Sequence, residues 1–519
     1  MAHFDRVPDE TDQIETFFAM NQAKPLRGSL PKKLREELED LNPWWAEKPA
    51  SQAPPFRRWI FDKLHRLLIS GITPAVVLRG PRRVGKTVLL RQLMENLLNN
   101  GVAGKRILYV PFDEIKSLGK LEDPILRIAR WFESYMLGET FNESARAERI
   151  AYIFFDEVQK LDAWAPQIKH LVDNHDVRVL ITGSSSLRIE AGRDSLAGRV
   201  TTLTIGTLLL REVAALRFNQ SYDPLMPPNG LDIFLQRSFW EEAQAKGKRE
   251  REGRDQAFQA FSERGGYPVV HQQPLMPWPE MAEQLNESII YRAIQHDLRQ
   301  GPRGGKRDEK ILEEVFRLCC RYAGQTPGAN VFVPEIRQAL ANKITWDRVL
   351  NYLSFLDDAL LIRLIEPLEL RLKKQGSSPA KVCLCDHALR ASWLGEMIPL
   401  DPVGLAANSH LTDLAGRLAE SVLGYFLASI PFLDVAHYPA RGIEPEVDFV
   451  LTVGTRRIPI EVKYRKRIDY HEDTRGLRAF LEKTVYNAPF GILATLDDDA
   501  VVYDPRIIPI SLASLLWMR

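Results

Sequence analysis

The sequence predicts an α/β protein built on a parallel sheet wrapped by helices, and three observations predict it. The first is Gly80-Pro81-Arg82-Arg83-Val84-Gly85-Lys86-Thr87, set between an apolar run, Ala75–Leu78, and a helical pattern from Val88 to Met94. The second is another apolar run, Ala151–Phe155, that ends in Asp156 and Glu157. The third is the alternation of strand-like and helix-like segments between them and beyond, the pattern of parallel strands joined by crossover helices. Strands are expected at 75–79, 106–111, 151–155, 177–182 and 201–205.

A glycine loop between strand and helix is a phosphate cradle. Gly80 and Gly85 let backbone N–H groups curl around a phosphate, with Arg83, Val84 and Val88 supplying neighbouring amides, and the helix start adds its positive dipole end. Lys86 neutralises phosphate oxygens, and the Thr87 hydroxyl joins Asp156 in holding Mg²⁺. Glu157 is placed to polarise an attacking water. The expected ligands are therefore ATP and Mg²⁺. The strand 177–182 runs into Gly183-Ser184-Ser185-Ser186, where Ser184, with Thr182 as the second choice, would reach the γ-phosphate; a plain serine-rich turn is the alternative.

At 519 residues the chain is too long for one core and should hold three or four domains. With 45% hydrophobic and 26% charged residues and a formal charge of +1, it reads as ordinary globular protein. That balance leaves nucleic acid open, because local patches make the electrostatic footprint. No secretory pattern or bilayer-length apolar run occurs, and four cysteines make no disulfide framework, so the expected location is cytoplasmic, away from membranes. Cys319-Cys320 and Cys383-x-Cys385 lack the usual metal spacing, and core thiols are the preferred reading over a metal.

The expected layout is an N-terminal extension (1–55), an ATPase core (56–207), a helical lid (208–300), a helix–strand module (301–378) and a C-terminal domain (379–519). The charged run 246–255, KGKREREGRD, reads as a solvated face or loop. In 308–373 a helix is followed by a short strand, Val331–Val333, a helix opened by Pro334, a third helix from Thr345, a strand at 360–365 and a basic stretch, Arg371–Lys374. That order resembles a winged helix, which either grips duplex DNA or packs against protein.

The motifs GPRRVGKT, YIFFDEVQ, ITGSSS, SLAGR and Phe261–Pro268 (FSERGGYP) occur in the order of a large prokaryotic AAA+-type ATPase family with a C-terminal domain of unknown function, which this chain resembles over most of 56–519. The resemblance implies a role for Arg199, or less strongly Arg193: the arginine before the fifth strand reaches a neighbouring subunit's site, which requires a homo-oligomer, a hexamer being one form. A surface arginine is the alternative. Gly266-Tyr267-Pro268 looks like the GxP element that contacts adenine in related signalling ATPases, with Arg264 approaching the phosphates; a tight turn explains GGYP almost as well.

A second constellation lies further on. Glu420 sits in a helical run, Asp448 in a strand, and Glu461-x-Lys463 in the strand that returns through a hairpin, a restriction-endonuclease-like PD-(D/E)xK pattern. Period two puts Glu461 and Lys463 on one face, where Asp448 and Glu461 would share a divalent metal. Arg456, Arg457, Lys463, Arg465, Lys466 and Arg467 add positive charge. Such a fold also serves as a scaffold. The expected function is ATP hydrolysis at an intersubunit site coupled to binding or remodelling of DNA, duplex, forked or branched. The alternatives are a nucleotide switch of the STAND type in signalling or defence, and an ATP-regulated, metal-dependent nuclease.

Overall fold

A computed structural model describes residues 30–519 apart from 50–51, 116, 119–120, 162, 184–195, 228–229, 298–307, 341–342, 369–378, 441 and 443. Five strands, β1 (Ala75–Arg79), β2 (Ile107–Pro111), β3 (Ala151–Asp156), β4 (Val177–Gly183) and β5 (Val200–Thr204), form one sheet in the order β2-β3-β4-β1-β5. Every neighbouring pair is parallel. The inner strands are almost continuously apolar because helices cover both faces, so alternation is absent and burial is near total.

The edge of this sheet at β2 is closed by the segment before it. The helix Lys32–Leu41 buries Leu34 and Leu38. Asn42 then acts as a strand neighbour: its amide donates to the Tyr109 carbonyl at 3.0 Å and accepts from the Tyr109 N–H at 2.7 Å. The indole N–H groups of Trp44 and Trp45 both reach the Ile107 carbonyl, at 2.9 and 2.8 Å. Backbone groups that would template another strand are thereby occupied.

Helices Leu210–Phe218, Arg237–Arg249 and Arg251–Arg264 follow the sheet. The charged run 246–255 is only in part the solvated face that its composition predicts: Lys248, Arg249, Arg251 and Glu252 are exposed. Lys246 is buried against Glu250, and Arg254, 3% exposed, pairs with Asp498 at 2.8 Å. That partner lies 244 residues away, so a local reading of charge had no access to it.

Three helices, Glu309–Arg321, Ala329–Leu340 and Trp346–Asp358, precede an antiparallel ribbon of β6 (Ile362–Ile365) and β7 (Lys381–Leu384). The expected strand at Val331–Val333 is helical instead, and Pro334 lies inside that helix rather than opening one. β-branched residues favour a strand locally, but Phe332 and Ile336 are four apart and both fully buried, which only a helix achieves on one face. Thr345 precedes the third helix without a side-chain capping bond. The basic stretch 371–374 lies outside the described residues. All four cysteines are buried free thiols, and burial pushes the Cys383 thiol up to about 12.

The last sheet has the order β12-β11-β10-β9-β8, from β8 (Asp434–Tyr438), β9 (Val447–Val453), β10 (Arg456–Lys463), β11 (Gly491–Thr495) and β12 (Ile507–Ser511). β8, β9 and β10 run antiparallel, whereas β10, β11 and β12 are parallel, the crossover carrying a helix, Arg475–Leu481. The chain then returns to the helices after the first sheet: Trp517 donates to Glu250 at 2.7 Å, and the Met518 carbonyl accepts from the N–H groups of Leu225 and Met226. Asp498→Ala leaves Arg254 buried with only the half-exposed Asp255 as its acidic partner. It should lower stability by about 3 kcal/mol, read as a reduced denaturation midpoint.

Candidate nucleotide site and carboxylate cluster

The phosphate-loop residues gather at the carboxyl end of β1. Gly85 has φ +97° and Arg83 φ +63°, so the loop turns through left-handed backbone before the helix Lys86–Asn99 begins. Gly80 is required for a different reason: a Cβ there would stand 2.4 Å from the Ile205 carbonyl oxygen. Lys86, 5% exposed, donates to the Gly80 and Pro81 carbonyls at 3.0 and 2.9 Å and lies 3.9 Å from Glu157. Val84 is buried, whereas Arg83 is exposed.

Asp156 is the centre of the polar network. Thr87 Oγ1 donates to its Oδ2 at 2.7 Å, Tyr109 reaches the same oxygen at 3.3 Å, and Thr182 donates to Oδ1. Burial pushes the Asp156 carboxyl above its ordinary range, against the hydrogen bonds from Thr182 and Thr87 that favour the anion. Thr182 Oγ1 also accepts from the Glu157 N–H at 3.1 Å, and Gln159 donates to the Glu157 carboxylate. Thr182, the second choice from sequence, therefore joins both carboxylate residues through one hydroxyl. Ser184 and Arg193 lie outside the described residues.

Arg199 is far from this network in its own chain. It precedes β5, whose register pairs Val200 with Ala75, at the end of the sheet opposite the loop. Five residues of strand rise separate the two ends, about 15 Å. The guanidinium pairs with Asp173 and donates to the Ala197 carbonyl at 3.2 Å. Pro268 starts the short helix Pro268–Gln272, and the preceding turn is tied elsewhere: the Gly266 N–H donates to Asp386 at 2.7 Å and its carbonyl accepts from Leu208 at 2.7 Å. Arg264 donates to the Met276 carbonyl.

Sequence reasoning missed Arg58. This guanidinium is 5% exposed and donates to the Val84 carbonyl at 2.6 Å, to those of Gly206 and Thr207 at 3.1 and 2.9 Å, and to Glu212 at 2.9 Å. The contact with Val84 places it directly behind the phosphate loop. An arginine in Phe56-Arg57-Arg58-Trp59 carries no motif, and its partners lie 26 to 154 residues away.

The second constellation also assembles. Glu420, on the helix Thr412–Ala428, joins Asp448 of β9 and Glu461 and Lys463 of β10 around a cavity of about 640 Å³. Pairing of Ile460 with Phe449 brings Glu461 opposite Asp448. Lys463 donates to Glu461 Oε1 at 2.7 Å, and the Val462 N–H donates to Asp448 Oδ2 at 2.9 Å. Burial, with the nearby Asp448 charge adding to it, pushes both Glu420 and Glu461 up to about 8. Asp448 is held below its usual range despite its burial, chiefly by the cation of Lys381. Lys381 was not foreseen: its ammonium lies 2.8 Å from Asp448 and 3.2 Å from Glu420. With that cation between the carboxylates, no three His, Cys, Asp or Glu side chains among the described residues stand together as a ready metal cage. The basic residues divide: Arg456 and Arg457 sit at the hairpin end of β10, roughly 20 Å of strand rise from Lys463.

Comparison with known proteins covers two segments. Residues 73–214 match the model of an AAA domain, and residues 255–397 match that of a domain of unknown function (DUF8612). An uncharacterized protein of Haemophilus influenzae is 24% identical over 405 residues, covering 76% of this chain and 84% of that protein. The AAA match coincides with the sheet and the Lys86–Asp156–Glu157 network, and assigns this part to the ATP-binding ATPase class. Among the described residues no helix is long and apolar enough to cross a membrane.

Thr182→Val removes the hydroxyl that Asp156 and the Glu157 N–H share. Hydrolysis should fall about 10-fold or more while nucleotide affinity changes little, measured by steady-state turnover beside equilibrium binding of a fluorescent ATP analogue.

Proposed function

We propose that residues 73–214 hydrolyse ATP at a site completed by a neighbouring copy of the chain. The observation that carries this reading is the single network joining Lys86, Thr87, Asp156, Glu157 and Thr182 at the carboxyl ends of adjacent strands. The donor set fits Mg²⁺: a buried carboxylate and a hydroxyl are hard oxygen ligands, and the loop is open at Gly85, where a Cβ would meet nothing within 4 Å. Magnesium would neutralise phosphate charge when bound with the nucleotide. With nucleotide bound, Lys86 would exchange its two loop carbonyls for phosphate oxygens, Thr87 and Asp156 would hold the cation, and Glu157 would orient and polarise water. Gln159 and the Thr182 hydroxyl keep Glu157 in place. Arg199, at the far end of its own sheet, is available to a neighbour's nucleotide.

The finer role is coupling of hydrolysis to DNA. Three helices followed by an antiparallel ribbon support a winged-helix reading, and the αβββαβ order around Glu420, Asp448 and Glu461 supports a nuclease-like one. Lys466 and Arg467 are exposed beside the cluster. The assembled carboxylates also favour a second reading, ATP-regulated phosphodiester cleavage.

Glu157→Gln should retain ATP and lose about 100-fold or more in hydrolysis, whereas Lys86→Ala should lose nucleotide binding. Arg199→Ala should lose about 1,000-fold, and mixing it with Lys86→Ala should restore turnover, because each variant supplies what the other lacks. Failure of the mixture to recover would sink the intersubunit site. ATPase rates unmoved by duplex, single-stranded and forked DNA would remove the DNA role. Mg²⁺-dependent cleavage that disappears in Asp448→Ala and survives in Lys86→Ala would establish the second reading.

A further inference from the structure

The carboxylate cluster contains a cation delivered from outside its own sheet. Lys381 opens β7, which pairs with β6 of the ribbon, and its side chain is 1% exposed. The ammonium stands 2.8 Å from Asp448 Oδ1, 3.2 Å from Glu420 Oε2 and 3.7 Å from Glu446 Oε1. Three carboxylate oxygens around one compact charge are the surroundings of a hard metal ion, and a lysine this buried persists only when so paired. The other side of the cluster is incomplete. Glu461 is 8% exposed; its Oε1 receives Lys463, but its Oε2 is buried and accepts nothing. A buried carboxylate oxygen without a donor is costly and marks a place for a ligand.

We propose that Lys381 is the resident cation of the Glu420–Asp448 side, and that the cluster takes one divalent ion, on the Glu461 side, where two would otherwise fit. Mg²⁺ or Mn²⁺ held by one or two carboxylates keeps most of its waters, and the cavity of about 640 Å³ has room for them. This rests on reading the cluster as a cation site, and the two claims separate in one experiment.

Full-length chain is titrated with Mn²⁺ in the absence of nucleotide, and free Mn²⁺ is followed by electron paramagnetic resonance. Counts are taken as the difference from the double variant Asp448→Asn/Glu461→Gln, which removes carboxylates on both sides of the cluster and cancels any ion held at the nucleotide loop. Wild type should bind one ion by this difference, Glu461→Gln none, Glu420→Gln one, and Lys381→Met two. Circular dichroism melting establishes that each variant is folded. One ion in folded Lys381→Met, or two in wild type, overturns the role of the lysine and leaves the cation site standing. No ion in wild type overturns the cation site itself. Should Lys381→Met not fold, the glutamate pair decides: loss of the ion in Glu420→Gln, or its retention in Glu461→Gln, overturns the proposal.

Discussion

The buried guanidinium of Arg58 is the constraint on which the arrangement of the first sheet, its phosphate loop and the helix after it depends. Its donors are spent on the phosphate loop at Val84, the exit of β5 at Gly206 and Thr207, and the first helix beyond the sheet at Glu212. Glu212 is shared in turn, accepting from the Trp59 N–H at 2.7 Å and the Leu209 N–H at 2.9 Å. Four separate pieces of chain thus meet at one rigid, planar fork, which a lysine's single point of charge could not reproduce. A shift of the helix Leu210–Phe218 must either carry the phosphate loop with it or break a buried, charge-assisted bond.

The same logic recurs at the second cluster. There the organising cation comes from the ribbon rather than from the sheet that bears the carboxylates, so each polar centre is completed by a residue from a neighbouring element. Gly265 shows how close the packing is between these parts: a Cβ there would stand 2.0 Å from Asp386 Oδ1. Asp386, fully enclosed, is pushed up to about 7 by burial even though the Gly266 and Ala388 N–H groups favour its anion.

How much of this was legible follows from the range of each interaction. The loop 80–87, the Asp156-Glu157 pair and the hairpin carrying Asp448, Glu461 and Lys463 depend on spacing within one or two adjacent elements, and spacing is what a sequence displays. The first-sheet strands were legible to within a residue or two for the same reason. Lys381, Arg58 and Arg254 were not, because each owes its position to partners tens to hundreds of residues away. Thr182 was the second choice because the direction of its side chain, toward Asp156 and the Glu157 N–H, does not show in spacing. At Val331–Val333 local preference and tertiary burial disagreed, and burial of Phe332 and Ile336 prevailed.

The return of the segment 498–519 onto helices made far earlier has a consequence for biosynthesis. Arg254 leaves the ribosome 244 residues before its partner Asp498. At ordinary elongation rates of about 5–20 residues per second, it waits roughly 10–50 s with the adjacent Asp255 but without Asp498. Throughout that interval the helix Arg237–Arg249 lacks β12 and the helix Leu512–Trp517, which later pack against it. The closing of that helical face thus waits for the last residues of this segment to emerge.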